Sequence, residues 1–358
     1  MKRILVLGAT GSIGTAALDV IRSRPDDFRV AGLAVRSRAD EAERLGREFS
    51  APWFAGEDAA VRAVRETDAD LVLVATMGLS GLAPTLAAIA RGIPVALATK
   101  EVLVAAGALV MARAREKGVP IIPVDSEHSA IFQCVGDEAS RRAISRLTLT
   151  ASGGPFLDGP ADLSTVTPAM AMRHPTWRMG PKVTVDSATM MNKGFEIVEA
   201  HWLFGVPLDA IGVVIHPESI VHSLVTFTDG STLAQLALPD MRVPIQYAFT
   251  WPGRLAAERA ALDLPALGAL TFRVSDATRF PALDIVREAA AAGGTRLAAL
   301  SAADEVAVAR FLAGEISFTD IVRLVAHVAA QTPVASCDSV EAILAADAKA
   351  RSVAMRFR

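Results

Sequence analysis

The chain has 358 residues with 21% charged and a formal net charge of −3, so it can bury two or three cores but presents no basic field for nucleic acid or an anionic membrane. A small-molecule partner is expected. The apolar run within residues 1–7 is too short for a secretory h-region or a bilayer span, which predicts a cytoplasmic protein, and Cys134 and Cys337 lack metal or disulfide spacing, so any metal is expected on oxygen ligands.

In chain order, Lys2–Leu7 reads as a strand running into Gly8, Ala9, Thr10, Gly11, Ser12, Ile13 and Gly14, with a helix over 15–24. Strand, glycine turn and helix form the entry to a dinucleotide-binding fold, where the backbone approaches a pyrophosphate whose charge sits on the helix N–H groups. The spacing is GxxGxxG rather than GxGxxG, so its place after the first strand carries the reading. A second strand, Phe28–Val35, ends in Arg36, Ser37 and Arg38 with no acid against a ribose. Two guanidiniums and a hydroxyl suit the 2′-phosphate of NADP(H); the alternative is a solvated loop.

Buried strands at 71–75, 95–98 and 121–124 alternate with helices at 82–91 and 102–117, and ligands in such folds bind at the carboxyl ends of the strands. Those ends carry Thr76, then Thr99, Lys100 and Glu101, then Asp125, Ser126, Glu127 and His128. If the chain stays extended, Asp125 and Glu127 project together and repel unless a proton or a hard cation such as Mg²⁺ or Mn²⁺ joins them. Alternatively, Ser126 caps the next helix and Glu127 complements its dipole.

A strand over 146–150 stops at the second glycine turn, Ser152, Gly153, Gly154 and Pro155, which could offer a hydroxyl and N–H groups to an oxyanion. His174 to Gly180, with Trp177 and Met179, reads as a lid; the alternative is a loop whose Trp packs down. Val183, Thr184 and Val185 read as a strand, Ser187 as the N-cap of a helix from near Ala188, and Met191, Phe195, Val198 and Trp202 as its apolar stripe. Asn192, Glu196 and Glu199 make an adjacent polar stripe with Lys193 at its flank, either a site or an ordinary solvated face. Strands over 211–215 and 221–228 and a hairpin through Asp229 and Gly230 to 238 leave an edge that a second copy of the chain would cover. Residues 251–281 read as a linker, and from Ala282 a helical bundle is broken at Gly293, Gly294, Gly314 and Pro333.

Taken in order, the motifs GATGSIG, ATKE, VDSEHSAIFQ, SGGPF, HPTWRMG, VDSATMMNKGFE, HPESIVHS and PDMRVPI closely resemble the 1-deoxy-D-xylulose 5-phosphate reductoisomerases over nearly the whole chain. With the elements above, the resemblance implies an α/β chain: an N-terminal Rossmann-like NADPH-binding domain (1–124), a central α+β catalytic and dimerisation domain with a mixed sheet (125–250), a linker (251–281) and a C-terminal helical bundle (282–358). It implies skeletal rearrangement and NADPH-dependent reduction of a ketose phosphate, a divalent ion and a homodimer. Carried over residue by residue, Asp125, Glu127 and Glu196 would hold the metal. Ser152, Ser187, Asn192 and Lys193 would grip phosphate and hydroxyls, His174 would close from the lid, and Lys100 and Ser126 would touch substrate. Thr10, Gly11, Ser12, Ile13, Thr99, Glu101 and Gly180 would face NADPH. The chain departs from the family pattern at Arg36, Ser37 and Arg38, at Thr99, at residues 301–305, and in a shorter stretch after Gly136. The rival readings are a metal-independent NADP dehydrogenase and a non-catalytic NADP-binding regulator.

Overall fold

The computed structural model describes residues 1–256 and 261–357. Part of the expected linker, 257–260, and the last residue of the expected helical domain, 358, lie outside the described residues. The chain opens with β1 (Lys2–Leu7), α1 (Ser12–Arg22), β2 (Phe28–Val35), α2 (Ala39–Phe49), β3 (Trp53–Ala55), α3 (Ala59–Glu66), β4 (Leu71–Val74), α4 (Leu82–Ala90), β5 (Val95–Leu97), α5 (Glu101–Lys117) and β6 (Ile121–Pro123). It continues through α6 (Ser126–Val135), α7 (Glu138–Arg142), β7 (Ile144–Ala151), α8 (Pro168–Ala171), α9 (Pro181–Thr189), α10 (Met191–Phe204), β8 (Ile211–Ile215), β9 (Val221–Phe227) and β10 (Thr232–Leu236). Helices α11 (Arg242–Thr250), α12 (Leu264–Leu267), α13 (Ala282–Ala292), α14 (Arg296–Leu312), α15 (Phe318–Gln331) and α16 (Val340–Ala354) complete it.

These elements form two compact units that interleave along the chain, so they do not follow the expected consecutive division. The first unit comprises residues 1–102, 110–132 and 240–261. Its strands form one parallel sheet in the order β3-β2-β1-β4-β5-β6. Ile4, Leu5, Val6 and Leu7 have no solvent exposure, as expected for a parallel strand covered on both faces. Helix α11 returns to this core, where Phe249 meets Phe28 edge-on at 5.7 Å. The order reverses between β1 and β4, which opens a crevice at their carboxyl ends. There Gly8 has φ +85°, and a Cβ on it would lie 2.2 Å from the Ala75 carbonyl oxygen.

The sequence reading passed over α2 and α3, which are strongly charged on one face, and the three-residue β3. It also started α1 too late: Gly11, extended at φ −80° and ψ 173°, is the N-cap, so Ser12, Ile13 and Gly14 form the first turn. Gly8→Ala forces a left-handed alanine against backbone that cannot yield, and is expected to cost about 2 kcal/mol or more, read as a lowered urea midpoint.

The second unit comprises residues 103–109, 133–239 and 262–358. Its mixed sheet has the order β10-β9-β7-β8, with β7 and β8 parallel and β9 antiparallel to both β7 and β10. A parallel pair needs a long crossover, and here the crossover carries the Ser152 turn, α8, α9 and α10. The expected strand at Val183, Thr184 and Val185 is instead the middle of α9. Pro181 in the first turn of α9 and the carbonyl of Gly180, which accepts the Thr184 N–H at 3.0 Å, start a helix there. Ser187 is therefore not an N-cap but lies in the last turn of α9. Left-handed Met190, at φ +65° and ψ 7°, separates α9 from α10.

Gly194 is a packing notch rather than a breaker, since a Cβ there would stand 2.7 Å from Val286 Cγ2 on α13. The stretch expected as a linker is pinned at several points. Leu255 O accepts Gln246 Nε2 at 3.0 Å in the first unit, while Arg273 pairs with Ile215 and Thr271 O meets His216 Nδ1 at 2.8 Å in the second. The C-terminal helices break where the glycines and Pro333 predict, and Ser317 with Asp320 forms a capping box at α15. Among the described residues no helix is long and apolar enough to cross a membrane.

Candidate active site

In the first unit the glycine turn leaves the opening N–H groups of α1 without intrahelical acceptors, and no side chain caps them. That donor set fits an anionic pyrophosphate. Arg38 donates to the Thr10 carbonyl, tying the end of β2 to the glycine turn. No acid stands at residues 36–38 themselves, but Glu41, one helical turn on, lies 3.0 Å from Arg38, and the fold brings Glu57 to 2.8 Å from Arg36. Both arginines and Ser37 are exposed, and exposed pairs of this kind are weak enough for a phosphate dianion to displace.

Thr99 is buried and donates its hydroxyl to the Thr76 carbonyl at 2.7 Å, joining the ends of β5 and β4. Lys100 and Glu101 follow at the mouth of α5 and are 9% exposed. Lys100 forms an ion pair with Asp125. Burial pushes the Asp125 carboxyl up, but the Lys100 charge, followed by His128, outweighs it and holds the group well below 3.8. Asp125 is therefore ionised at neutral pH.

The alternation expected of Asp125 and Glu127 does not hold, because α6 begins at Ser126. The Asp125 carbonyl accepts the Ser129 N–H at 2.8 Å and its Oδ1 accepts that of Glu127 at 3.4 Å, so Asp125 takes the capping position rather than Ser126. Glu127 lies in the first turn of α6, favoured by the helix dipole, and its Oε2 accepts from Ser126 Oγ at 2.5 Å. A helical turn thus groups these residues where an extended strand was expected to. His128, missed as a site residue, is fully buried with Nδ1 3.7 Å from Asp125 Oδ1; its place one turn beyond an acid was the available signal.

In the second unit Gly153 and Gly154 are left-handed, at φ +85° and +65°, and fold the chain back so that the Gly154 N–H reaches Ser152 Oγ at 3.2 Å. His174 Nε2 stands 3.0 Å from the same oxygen, while its Nδ1 accepts the N–H groups of Thr176 at 3.1 Å and Trp177 at 2.9 Å. Two donors on Nδ1 require Nε2 to carry the hydrogen, so His174 donates to Ser152. Ser152 Oγ then accepts twice and keeps its own proton for an incoming oxyanion. Burial lowers the His174 pKa from 6.5, which favours this neutral tautomer. Trp177 packs down towards His222, with ring centroids 6.1 Å apart.

Gly180 and Ser187 mark the two ends of α9, and Asn192 and Lys193 open α10. Asn192 Nδ2 donates to Glu196 Oε1 at 2.5 Å, and Lys193 pairs with Glu196 Oε2. Lys193, Glu196 and Glu199 are 4%, 1% and 0% exposed, so the supposed polar face lies inside the protein. Charges in such a place need partners, and Glu196 has an ammonium and an amide.

The first unit therefore assembles Lys100, Asp125, Ser126 and Glu127, and the second assembles Ser152 with His174 and Asn192 with Lys193 and Glu196. Because the His174 pKa is lowered, the unfolded chain takes the proton more readily. Its stabilising contribution is whole above 6.5 and is lost as pH falls through that value towards the lower folded pKa. Protonation also turns Nδ1 into a donor facing two donors. Hydrogen-exchange protection of the Thr176 and Trp177 amides should fall with pH in the wild type and show a flatter profile in His174→Asn, whose amide oxygen can accept without titrating.

Family models describing 1-deoxy-D-xylulose 5-phosphate reductoisomerase match residues 4–55 and 47–107, and models of its C-terminal domains match 121–204 and 236–353. The chain is 47% identical to 1-deoxy-D-xylulose 5-phosphate reductoisomerase of Ralstonia pickettii, covering 100% of this chain and 97% of that protein. It is 48% identical to that of Thermomicrobium roseum, covering 98% and 96%. A crystal structure of DOX-P reductoisomerase in complex with NADPH, fosmidomycin and magnesium superposes with TM-score 0.93 at 38% identity, covering 99% of this chain and 98% of that one. The Zymomonas mobilis enzyme in complex with NADPH gives TM-score 0.90 at 40% identity, with the same coverage. By sequence and fold, this chain belongs to the 1-deoxy-D-xylulose 5-phosphate reductoisomerase family.

Proposed function

We propose that this chain converts 1-deoxy-D-xylulose 5-phosphate into 2-C-methyl-D-erythritol 4-phosphate, rearranging the carbon skeleton and reducing the resulting aldehyde with NADPH in non-mevalonate isoprenoid synthesis. The observation that carries the reading is Asp125: its side chain is 10% exposed and paired with Lys100, which keeps it ionised, the state required of a ligand to a hard cation. Asp125, Glu127 and Glu196 are the all-oxygen set for Mg²⁺ or Mn²⁺, which suits neither thiolate nor imidazole chemistry. When bound, the ion polarises the substrate's ketone and stabilises the negative charge that develops on oxygen.

The protein's own groups do the rest. The first turn of α1, with Thr10, Gly11, Ser12, Ile13 and Gly14, receives the pyrophosphate. Arg36, Ser37 and Arg38 select the 2′-phosphate, and Thr99, Glu101 and Gly180 complete the nucleotide site. Ser152, Ser187, Asn192 and Lys193 hold phosphate and hydroxyls. His174 donates from a lid whose Trp177 and Met179 exclude water, while Lys100 and Ser126 orient the reacting carbons. The metal-independent dehydrogenase leaves Glu127 and Glu196 without a task, and the non-catalytic regulator leaves Lys100 and His174 without one.

The protein works as a cytoplasmic homodimer in this reading. Support comes from β10, an edge strand with Leu233 49% exposed, which a second copy would cover.

NADPH consumption with deoxyxylulose phosphate, measured with and without chelator, tests the activity; turnover indifferent to chelation would remove the metal. Glu196→Gln keeps the shape and removes the charge. It should shift the Mg²⁺ or Mn²⁺ activation curve to higher concentration and lower kcat by about 100-fold, with NADPH affinity nearly unchanged. Overlapping metal curves would place the ion elsewhere. Replacing Arg36 and Arg38 by alanine should weaken NADPH by about 10-fold or more and NADH little, since only NADPH has a 2′-phosphate to lose. Equal losses would return these arginines to loop solvation.

A further inference from the structure

Lys182 occupies the first turn of α9, where the helix dipole disfavours a cation. Its partner Asp186 lies four residues later, the less favourable order for an ion pair along a helix. Local energetics therefore do not account for the placement, and tertiary structure does. The Lys182 ammonium is 2.7 Å from Asp186 Oδ2, 2.9 Å from Asp304 Oδ2 on α14, and 4.9 Å from the centroid of the Phe195 ring on α10. Asp186 is 1% exposed and Asp304 is fully buried. One ammonium thus joins three helices. Asp186 immediately precedes Ser187, and Phe195 immediately precedes Glu196, two residues after Lys193. Between α9 and α10 stands only Met190, a left-handed non-glycine residue that the surroundings must hold.

We propose that Lys182 is a positioning residue: by tying α9 to α14 through Asp304 and seating against Phe195, it fixes the angle at Met190 and hence the spacing of Ser187 from Lys193 in the substrate site. The inference rests on the proposed reading of Ser187 and Lys193 as groups that hold the phosphorylated substrate. Lys182→Met keeps the stem on Phe195 and removes the ammonium. Because that leaves two buried carboxylates without their counterion, a companion variant combines it with Asp304→Asn, which removes one of those charges, and Lys182→Arg restores a cation.

KM for deoxyxylulose phosphate should rise about 10-fold in Lys182→Met and in the double variant, with kcat less affected and the dissociation constant for NADPH within about two-fold of wild type. Lys182→Arg should recover most of the KM. A folded double variant with wild-type KM overturns the proposal. So does a loss of kcat in Lys182→Met that merely follows the unfolded fraction at constant KM. Ser187→Ala serves as the reference. If it raises KM and the Lys182 variants do not, the strut is wrong; if the Lys182 variants raise KM and Ser187→Ala does not, the strut stands through Lys193 and the reading of Ser187 falls.

Discussion

A carboxylate withdrawn from water must be met by a cation or a set of hydrogen bonds, and this requirement governs both units. Removing one partner of a buried pair typically costs about 3–5 kcal/mol, because the charge left behind has nothing to replace water. In the first unit Lys100 answers Asp125, and in the second Lys193 answers Glu196 while Lys182 answers Asp186 and Asp304. Lys193 with Glu196 and Lys182 with Asp186 are one helical turn apart, Lys100 and Asp125 follow the paired strands β5 and β6, and Lys182 reaches Asp304 between α9 and α14, so the folds of the two units, rather than long flexible side chains, set the pairing. An ammonium beside each acid orients it, and at Asp125 it also keeps the carboxyl ionised, which is the condition for a carboxylate to bind a hard cation.

The topologies explain why these pairs lie where they do. A parallel sheet with its order reversed between β1 and β4 directs the strand ends towards one crevice, and Gly8, Thr99, Lys100 and Asp125 all lie at such ends. The second sheet has only one parallel pair, β7 with β8, and the connection between them must cross the sheet. That connection could have been a single helix. Instead it holds the glycine turn at Ser152, the His174 loop, α9 and α10, so one covalent stretch delivers most of the second unit's polar groups.

Much of the first unit was legible because its signals are local, namely apolar runs of strand length, a glycine turn at a strand end and helical segments at 82–91 and 102–117, whereas α2, β3 and α3 were not read. Strand β2 ran as read, from Phe28 to Val35. Contacts between distant residues were not legible, as with Glu57 meeting Arg36 or Asp304 meeting Lys182. The identity of the chemical groups at Asn192, Lys193 and Glu196 was readable from spacing, but their burial was not, because a helix covered on all sides carries no solvent face to read. Val183, Thr184 and Val185 misled for a related reason. Three β-branched residues favour a strand, but Pro181 and the Gly180 carbonyl nucleate a helix, and tertiary packing outweighs the modest propensity difference.

His174 shows how far geometry alone fixes chemistry. Its backbone neighbours Thr176 and Trp177 aim two N–H groups at Nδ1, and this single fact sets the tautomer, makes Nε2 a donor and leaves the Ser152 proton available. Burial acts in the same direction by disfavouring the imidazolium. A charged histidine would attract an anion more strongly at long range, yet it would have to break both backbone bonds that shape its own loop. The neutral ring instead offers a directed hydrogen bond at little cost in loop order, and that order comes from the backbone of residues 174–177 before any ligand arrives. The loop's conformation and the histidine's protonation state are therefore one property, and neither can be altered without the other.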